Sequence, residues 1–249
     1  MKYLIALLLS CSTLMAKPPI GYNDPTIGGL VGWWTMNEKS GTNAYDYSGN
    51  GNTGYLTNSP IWTNGIIGSC INFTGGNTNI IQCGNIANNP SSLSVLCWVY
   101  WQVADNNKYY AVAKLENTAT GAGWALGASI KQVYFLCSGG VFYYTMQNTN
   151  TVSTGWHHLA VSFSSPYSYT NAILYLDGVV NSKVLSNGGV PSSISNFVNL
   201  RIGSDELALP GTVNDNPWIG QIDDVRIYNR ILSSDEILKL YNGGYGSQK

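Results

Sequence analysis

The chain has 249 residues, of which 44% are hydrophobic and only 10% are charged, against roughly 25% charged residues in ordinary soluble domains. Its 12 basic and 13 acidic residues give a net charge of −1 with no basic run, which argues against nucleic acid as a partner and against attachment to an anionic membrane surface. The length fits one all-β domain. Solubility falls to Asn, Ser, Thr, Gly and Tyr, a set that favours turns and strands because Asn and Ser compete with helical hydrogen bonds and Gly loses much entropy in a helix.

In chain order, Met1 to Ala16 joins a short basic start, an apolar run from Tyr3 to Leu9 and a small-residue exit. This pattern predicts a signal peptide over residues 1–16 and a secreted or cell-surface protein. The apolar run is too short to cross a bilayer, so no transmembrane helix is expected. Leu8-Leu9-Ser10-Cys11 leaves open a lipid anchor at Cys11. Residues 17–28, with Pro18, Pro19 and Pro25, read as a tether, since proline cannot feed a regular ladder. One domain is expected over residues 29–245.

Within it, short apolar or alternating runs rich in β-branched and aromatic residues predict strands. They are Leu30–Met36, Cys70–Phe73, Ile80–Cys83, Leu93–Trp101, Tyr109–Leu115, Trp124–Ser129, Gln132–Cys137, Val141–Met146, His157–Phe163, Ala172–Leu176, Leu200–Gly203 and Ile219–Tyr228. Ser138-Gly139-Gly140 and Asp177-Gly178 mark hairpins, because these residues tolerate the positive φ of a tight connection. So many strands imply a two-sheet antiparallel sandwich. One short helix closes the chain: Ser233 and Glu236 form a capping box, and Ile237, Leu240 and Tyr241 share a face. Cys70, Cys83, Cys97 and Cys137 show no CxxC spacing and are either buried small hydrophobes or, in an oxidising compartment, disulfide partners.

Three segments, in order, resemble the laminin G-like family of concanavalin A-type lectin and pentraxin-like jelly rolls. The first is Gly29-Leu-Val-Gly-Trp-Trp-Thr-Met-Asn-Glu-Lys-Ser-Gly-Thr42, continuing through Asp46-Tyr-Ser-Gly-Asn-Gly-Asn52. The second is Gly155-Trp-His-His-Leu-Ala-Val-Ser-Phe163 with Ile173-Leu-Tyr-Leu-Asp-Gly-Val179, and the third is Gly220-Gln-Ile-Asp-Asp-Val-Arg-Ile-Tyr-Asn-Arg230 running on to Ile237. The resemblance implies an all-β jelly roll over nearly the whole mature chain. It names no ligand, because a shared fold does not carry a shared function.

The loop Asp46 to Asn52 concentrates a carboxylate, amides, a hydroxyl and glycines, the oxygen-rich, pliable surroundings that calcium accepts. The resemblance implies that this loop meets the late strand carrying Asp223 and Asp224, so Asp46, Asn50, Asp223 and Asp224 are expected to hold a structural Ca2+. The competing reading is an Asx-turn loop, with Asp223 accepting backbone or arginine hydrogen bonds. The adjacent His157 and His158 suggest a general base, but the resemblance favours one inward and one outward structural ring.

No acidic cluster of the kind that flanks a scissile glycosidic bond is present; the only glutamates are Glu38, Glu116, Glu206 and Glu236, none with an acidic neighbour on the same strand face. The chain is therefore read as a non-catalytic binding domain. Carbohydrate recognition with calcium is the first reading, with adhesion or surface-appendage binding to a protein second and a glycan hydrolase third. Among 8 Trp and 17 Tyr, Tyr109, Tyr110, Trp124, Tyr143, Tyr144 and Trp218 are candidates for stacking on a sugar ring. Contact is expected from one sheet face and the loops at residues 102–109, 164–171 and 204–218.

Overall fold

Alternating side chains place one set of each strand between two sheets and the other set outside. The computed structural model describes residues 27–57, 61–75, 79–102, 107–116, 121–129, 132–140, 143–205 and 216–243. The expected signal peptide, Cys11 and nearly all of the tether lie outside the described residues.

The strands are β1 (Leu30–Trp34), β2 (Asn43–Ala44), β3 (Gly54–Leu56), β4 (Ile61–Asn64), β5 (Ser69–Thr74), β6 (Ile81–Gln82), β7 (Ser92–Trp101), β8 (Lys108–Leu115) and β9 (Ala122–Ser129). They continue as β10 (Gln132–Gly139), β11 (Tyr143–Gln147), β12 (Gly155–Ser164), β13 (Ala172–Leu176), β14 (Val179–Val180), β15 (Lys183–Asn187), β16 (Arg201–Ile202) and β17 (Ile219–Tyr228), followed by helix α1 (Ser234–Tyr241). One sheet runs β14-β13-β12-β7-β17-β5-β4, with β1 also paired to β17. The other runs β15-β11-β10-β9-β8-β16-β6-β3-β2. The paired strands are antiparallel. This is the two-sheet jelly roll that the alternation predicts.

Every predicted strand is present, several with shifted ends; β2, β3, β4, β14 and β15 are additions. β17 matches its predicted bounds residue for residue. Leu93, Val95, Cys97 and Val99 of β7 face Leu159, Val161 and Phe163 of β12 within the intersheet core, with Val112, Leu126 and Phe135 from the second sheet. The opposite parity, Leu96, Ala160, Tyr175 and Tyr228, lies outside the first sheet, where Leu232, Ile237 and Leu240 cover it.

The capping box is complete: Ser233 Oγ accepts from Glu236 N at 3.3 Å, and Glu236 Oε2 accepts from Ser233 N at 2.8 Å. Arg230 adds an ion pair to Glu236 at 2.6 Å. Tyr241 stacks on Trp98 at 5.4 Å, so the docked face and not helix propensity holds this short element. Cys70, Cys83, Cys97 and Cys137 are buried and carry no disulfide among the described residues, which is the small-hydrophobe alternative.

Candidate functional site

Of the expected calcium residues, Asp46 and Asp224 have their carboxylate oxygens engaged by donors. Asp46 follows the bridge to Trp34, and its Oδ1 accepts from Trp33 N (3.0 Å) and Ser48 N (2.8 Å). Its Oδ2 accepts from Ser48 Oγ (2.9 Å) and Asn52 N (2.8 Å). Asn50 turns its amide hydrogens to Leu30 O and Val31 O, an arrangement that serves to close the loop.

A bulge in β17, with Asp224 at φ 46°, sends the neighbouring aspartates to different partners. Asp224 accepts from the Trp33 indole at 2.6 Å and pairs with Arg226 at 3.0 Å. Asp223 Oδ2 accepts from Ile67 N at 3.0 Å while Oδ1 is buried without a partner. Burial pushes the Asp223 carboxyl up to about 7.

A divalent cation needs a convergent shell of oxygens free to face it. Here Asp46 has four donors around it and Asp224 has its own cation. Among the described residues no group of three or more His, Cys, Asp or Glu is placed to hold a metal ion. The four residues do not fit calcium in this arrangement, and the Asx-turn reading describes Asp46.

The aromatic candidates separate by burial. Tyr110, Trp124 and Trp218 are 3%, 1% and 2% exposed, so these three offer no face to a sugar. Both parities of β8 and β9 are buried. Trp124 and Trp218 belong to the intersheet core, whereas Tyr110 joins Ala113, Leu115, Ala125 and Tyr134 in a separate cluster. Tyr109 and Trp218 border a cleft of about 10 Å³, room for about one water and not for a sugar ring. Tyr143 is exposed, and the side chain of Tyr144 lies outside what is described. Residues 103–106 and 206–215 of the expected contact loops also lie outside the described residues.

His158 is buried under α1 between Trp98 and Tyr241, where burial pulls its pKa down to about 4. His157 Nδ1 lies 2.9 Å from Asp177 Oδ2, and its Nε2 lies 3.3 Å from Ser153 Oγ. Those distances resemble a catalytic triad, but Nε2 is nearer still to Ser153 O, at 3.1 Å. A carboxylate and a carbonyl only accept, so this geometry calls for a ring that donates from both nitrogens. Such a ring has no lone pair to take the serine proton. The group ties the start of β12 to the β13–β14 turn, where Asp177 Oδ1 also accepts from His158 N at 2.8 Å.

A different site emerges where β3, β6 and β16 meet. The pairing Leu56–Ile81–Ile202–Val112 faces the core, so the next row, Tyr55–Gln82–Arg201–Ala113, faces outward. Above that row opens a groove of about 560 Å³ lined by Asn52, Tyr55, Gln82, Asn85 and Asn199, with Thr53, Thr57 and the backbone of Gly51 and Gly84 beside them. That size falls within the ~300–1,000 Å³ of ordinary ligand sites. Tyr55 is 61% exposed.

The rim is braced from the loop that the calcium reading singled out. Asn52 N donates to Asp46, its carbonyl accepts from the Trp34 indole at 2.8 Å, and its side-chain amide donates to Val31 O at 2.8 Å. Asn199 Nδ2 donates to Gln82 Oε1 at 3.3 Å. Among the described residues none that lines the groove is charged. An exposed ring beside amides can stack on the C–H face of a sugar while the amides bond its hydroxyls.

Comparison with known families now decides the ancestry. The profile of the concanavalin A-like lectin/glucanases superfamily matches residues 74–238, more than half of the chain. The chain belongs to the concanavalin A-like lectin/glucanases superfamily.

No curated protein matches it in sequence. Among solved structures, this superfamily member resembles the binding domain of Paraclostridial Mosquitocidal Protein 1, with 18% identity, TM-score 0.64, and coverage of 88% of this chain and 53% of that one. Domain 4 of AbnA, an extracellular arabinanase from Geobacillus stearothermophilus solved with arabinotriose, shows 17% identity and TM-score 0.64 over 85% of this chain and 98% of that domain. A botulinum neurotoxin type C structure, described for cell entry through two ganglioside molecules, shows 14% identity and TM-score 0.61 over 87% and 51%. The chain thus spans about half the length of these toxin structures. At such identities the likeness shows the fold of the superfamily, and the fold's relatives here are mainly binding domains, with a sialidase among them.

The groove of this concanavalin A-like chain was not visible in the sequence. Tyr55 sits in a three-residue strand too short to show a period, and Gln82 and Asn199 are far apart until β6 and β16 pair. The run of Asn and Gly around residues 49–54 and 84–89 was the one signal on offer.

Proposed function

We propose that the chain is a secreted, non-catalytic carbohydrate-binding module whose glycan site is the groove at Tyr55, Gln82, Asn85 and Asn199. The observation that carries this reading is the lining itself, an exposed tyrosine among amides with no carboxylate. Glycosidic cleavage uses two carboxyls flanking the bond, and the described lining of this groove offers groups that bind a saccharide and no such pair. The uncharged lining suits a neutral oligosaccharide. Support also comes from superfamily membership and from the arabinotriose bound to the arabinanase domain. Secretion rests on the signal pattern of residues 1–16. The saturated hydrogen bonding of Asp46 favours binding that needs no calcium.

A glycan array of neutral and acidic saccharides, run with calcium and with a chelator, tests the proposal. The expected result is saturable binding of a neutral glycan in both buffers, lowered about fivefold or more in Tyr55→Ala, since stacked aromatic contacts are worth about 1 kcal/mol. Wild-type-level binding by Tyr55→Ala would place the site elsewhere.

A protein partner is the second reading, favoured by the exposed Ile173, Val179, Val180 and Leu238 around the β13–β14 edge. A stable partner in pull-downs with an empty glycan array would select it.

A further inference from the structure

Lys114 is the one buried lysine among the described residues, at 1% exposure. It shares strand parity with Val112, whose side chain is in the core, so its stem runs beneath the second sheet's end and its ammonium emerges under the groove. There Nζ donates to Asn85 Oδ1 and to Val198 O, each at 2.7 Å. Asn196 Nδ2 in turn donates to Lys114 O at 3.1 Å and to Ala122 O at 2.8 Å, pinning the strand that carries the lysine. Among the described residues no carboxylate pairs with the ammonium. Glu116 is the charged group that acts on it, from a distance.

An ammonium has three donors and no acceptor. Its partner on Asn85 must therefore be the amide oxygen, which leaves Nδ2 as the donor end of a residue that lines the groove. Across the groove Gln82 Oε1 accepts from Asn199 Nδ2, which leaves Nε2 as the donor end of the Gln82 amide.

We propose, resting on the groove as the glycan site, that Lys114 is a positioning and specificity residue: by fixing the Asn85 amide it presents donors to the ligand, so that the site reads acceptor oxygens of the saccharide and loses affinity when Lys114 loses its proton. A neutral amine carries a lone pair as well as N–H groups and can accept from Asn85 Nδ2 as readily as it donates to Oδ1. The amide is then free to flip. Burial pulls the Lys114 ammonium down to about 8, with Glu116 opposing, which brings this change within reach of ordinary buffers.

The experiment measures affinity for the best neutral glycan of the array as a function of pH, on the full chain. Wild type should weaken by about threefold to tenfold between roughly pH 7 and pH 9.5, the size of one hydrogen bond. Lys114→Arg, which keeps its charge throughout, should show a flat profile. Asn85→Asp tests the same point at pH 7 without disturbing the lysine's partner: the carboxylate accepts from Nζ but has no hydrogen to offer the sugar. Its affinity should fall about tenfold while its melting temperature does not drop.

Wild-type affinity in Asn85→Asp, or the same pH profile in wild type and Lys114→Arg, overturns the positioning role. If Tyr55→Ala still abolishes binding in that case, the groove reading stands alone. Should Lys114→Arg fail to fold, Asn85→Asp still decides. A wild-type chain that binds no glycan overturns both.

Discussion

Replacing Asp46 by alanine removes one carboxylate and strands four donors at once: Trp33 N, Ser48 N, Ser48 Oγ and Asn52 N. Hydrogen bonds to a charged group contribute about 1.5–3 kcal/mol each when water cannot replace them. The loop is part-buried, so water recovers much of that, and a net loss of about 3 kcal/mol follows for the set. In a domain of this size each kcal/mol moves the melting point by about 2–4 °C. Asp46→Ala should therefore melt about 6–12 °C below wild type, equally with calcium and with a chelator. Asp46→Asn retains an oxygen for the two Oδ1 donors and sets an N–H against Asn52 N, and should lose about half as much. Because Asn52 lines the groove, glycan affinity should fall with stability. Scanning calorimetry in the two buffers measures this. A loss below about 1 kcal/mol, which is within the scatter of ordinary surface changes, refutes the hydrogen-bond account. A loss seen only in calcium makes Asp46 a ligand after all.

The adjacent histidines should give opposite pH slopes. The hydrogen bond to Asp177 raises the His157 pKa against burial, so its contribution is complete below about pH 6.5 and is lost as pH rises through the folded value. His158, pulled down to about 4 by burial, acts in reverse, losing stability as pH falls from about 6.5 towards 4. Denaturant titrations across pH should show Asp177→Asn removing the first slope and His158→Phe the second; either variant keeping the wild-type slope counts against its assignment. Burial raises Asp223 to about 7, so its cost is absent below about pH 4 and grows as pH climbs to 7. Asp223→Asn should accordingly melt above wild type at pH 8 and converge with it in acid, and a lower melt at pH 8 would contradict this.

Long strands were legible because ten residues of alternation leave little choice of register: β7, β12 and β17 need both parities apolar, one for the core and one for α1. The helix was legible from Ser233 and Glu236. The five strands that sequence did not reveal have two to five residues, too few for a period to show, and pairing partners define them. At the site, residue types were readable but their partners were not. Asp46 has the composition of a metal ligand, and only the fold shows that its oxygens face N–H groups. Trp124 and Trp218 have the composition of a sugar platform, but alternation alone cannot tell that both fall in the intersheet core.

β17, the last strand of the chain, lies in the interior of its sheet: it pairs with β7 along one side and with β5 and β1 along the other. Leu30 meets Tyr228 and Trp34 meets Val225 across almost the whole described length. During synthesis or transport through a pore, the first strand must therefore wait for the last, with the middle of the sheet standing open until residues 219–228 emerge. Such long-range closure makes assembly slow and exposes unpaired strand edges to other chains meanwhile. It also makes the final thirty or so residues an all-or-none checkpoint, since a chain cut before Ile219 keeps its hairpins but has nothing to join β1 and β5 to β7.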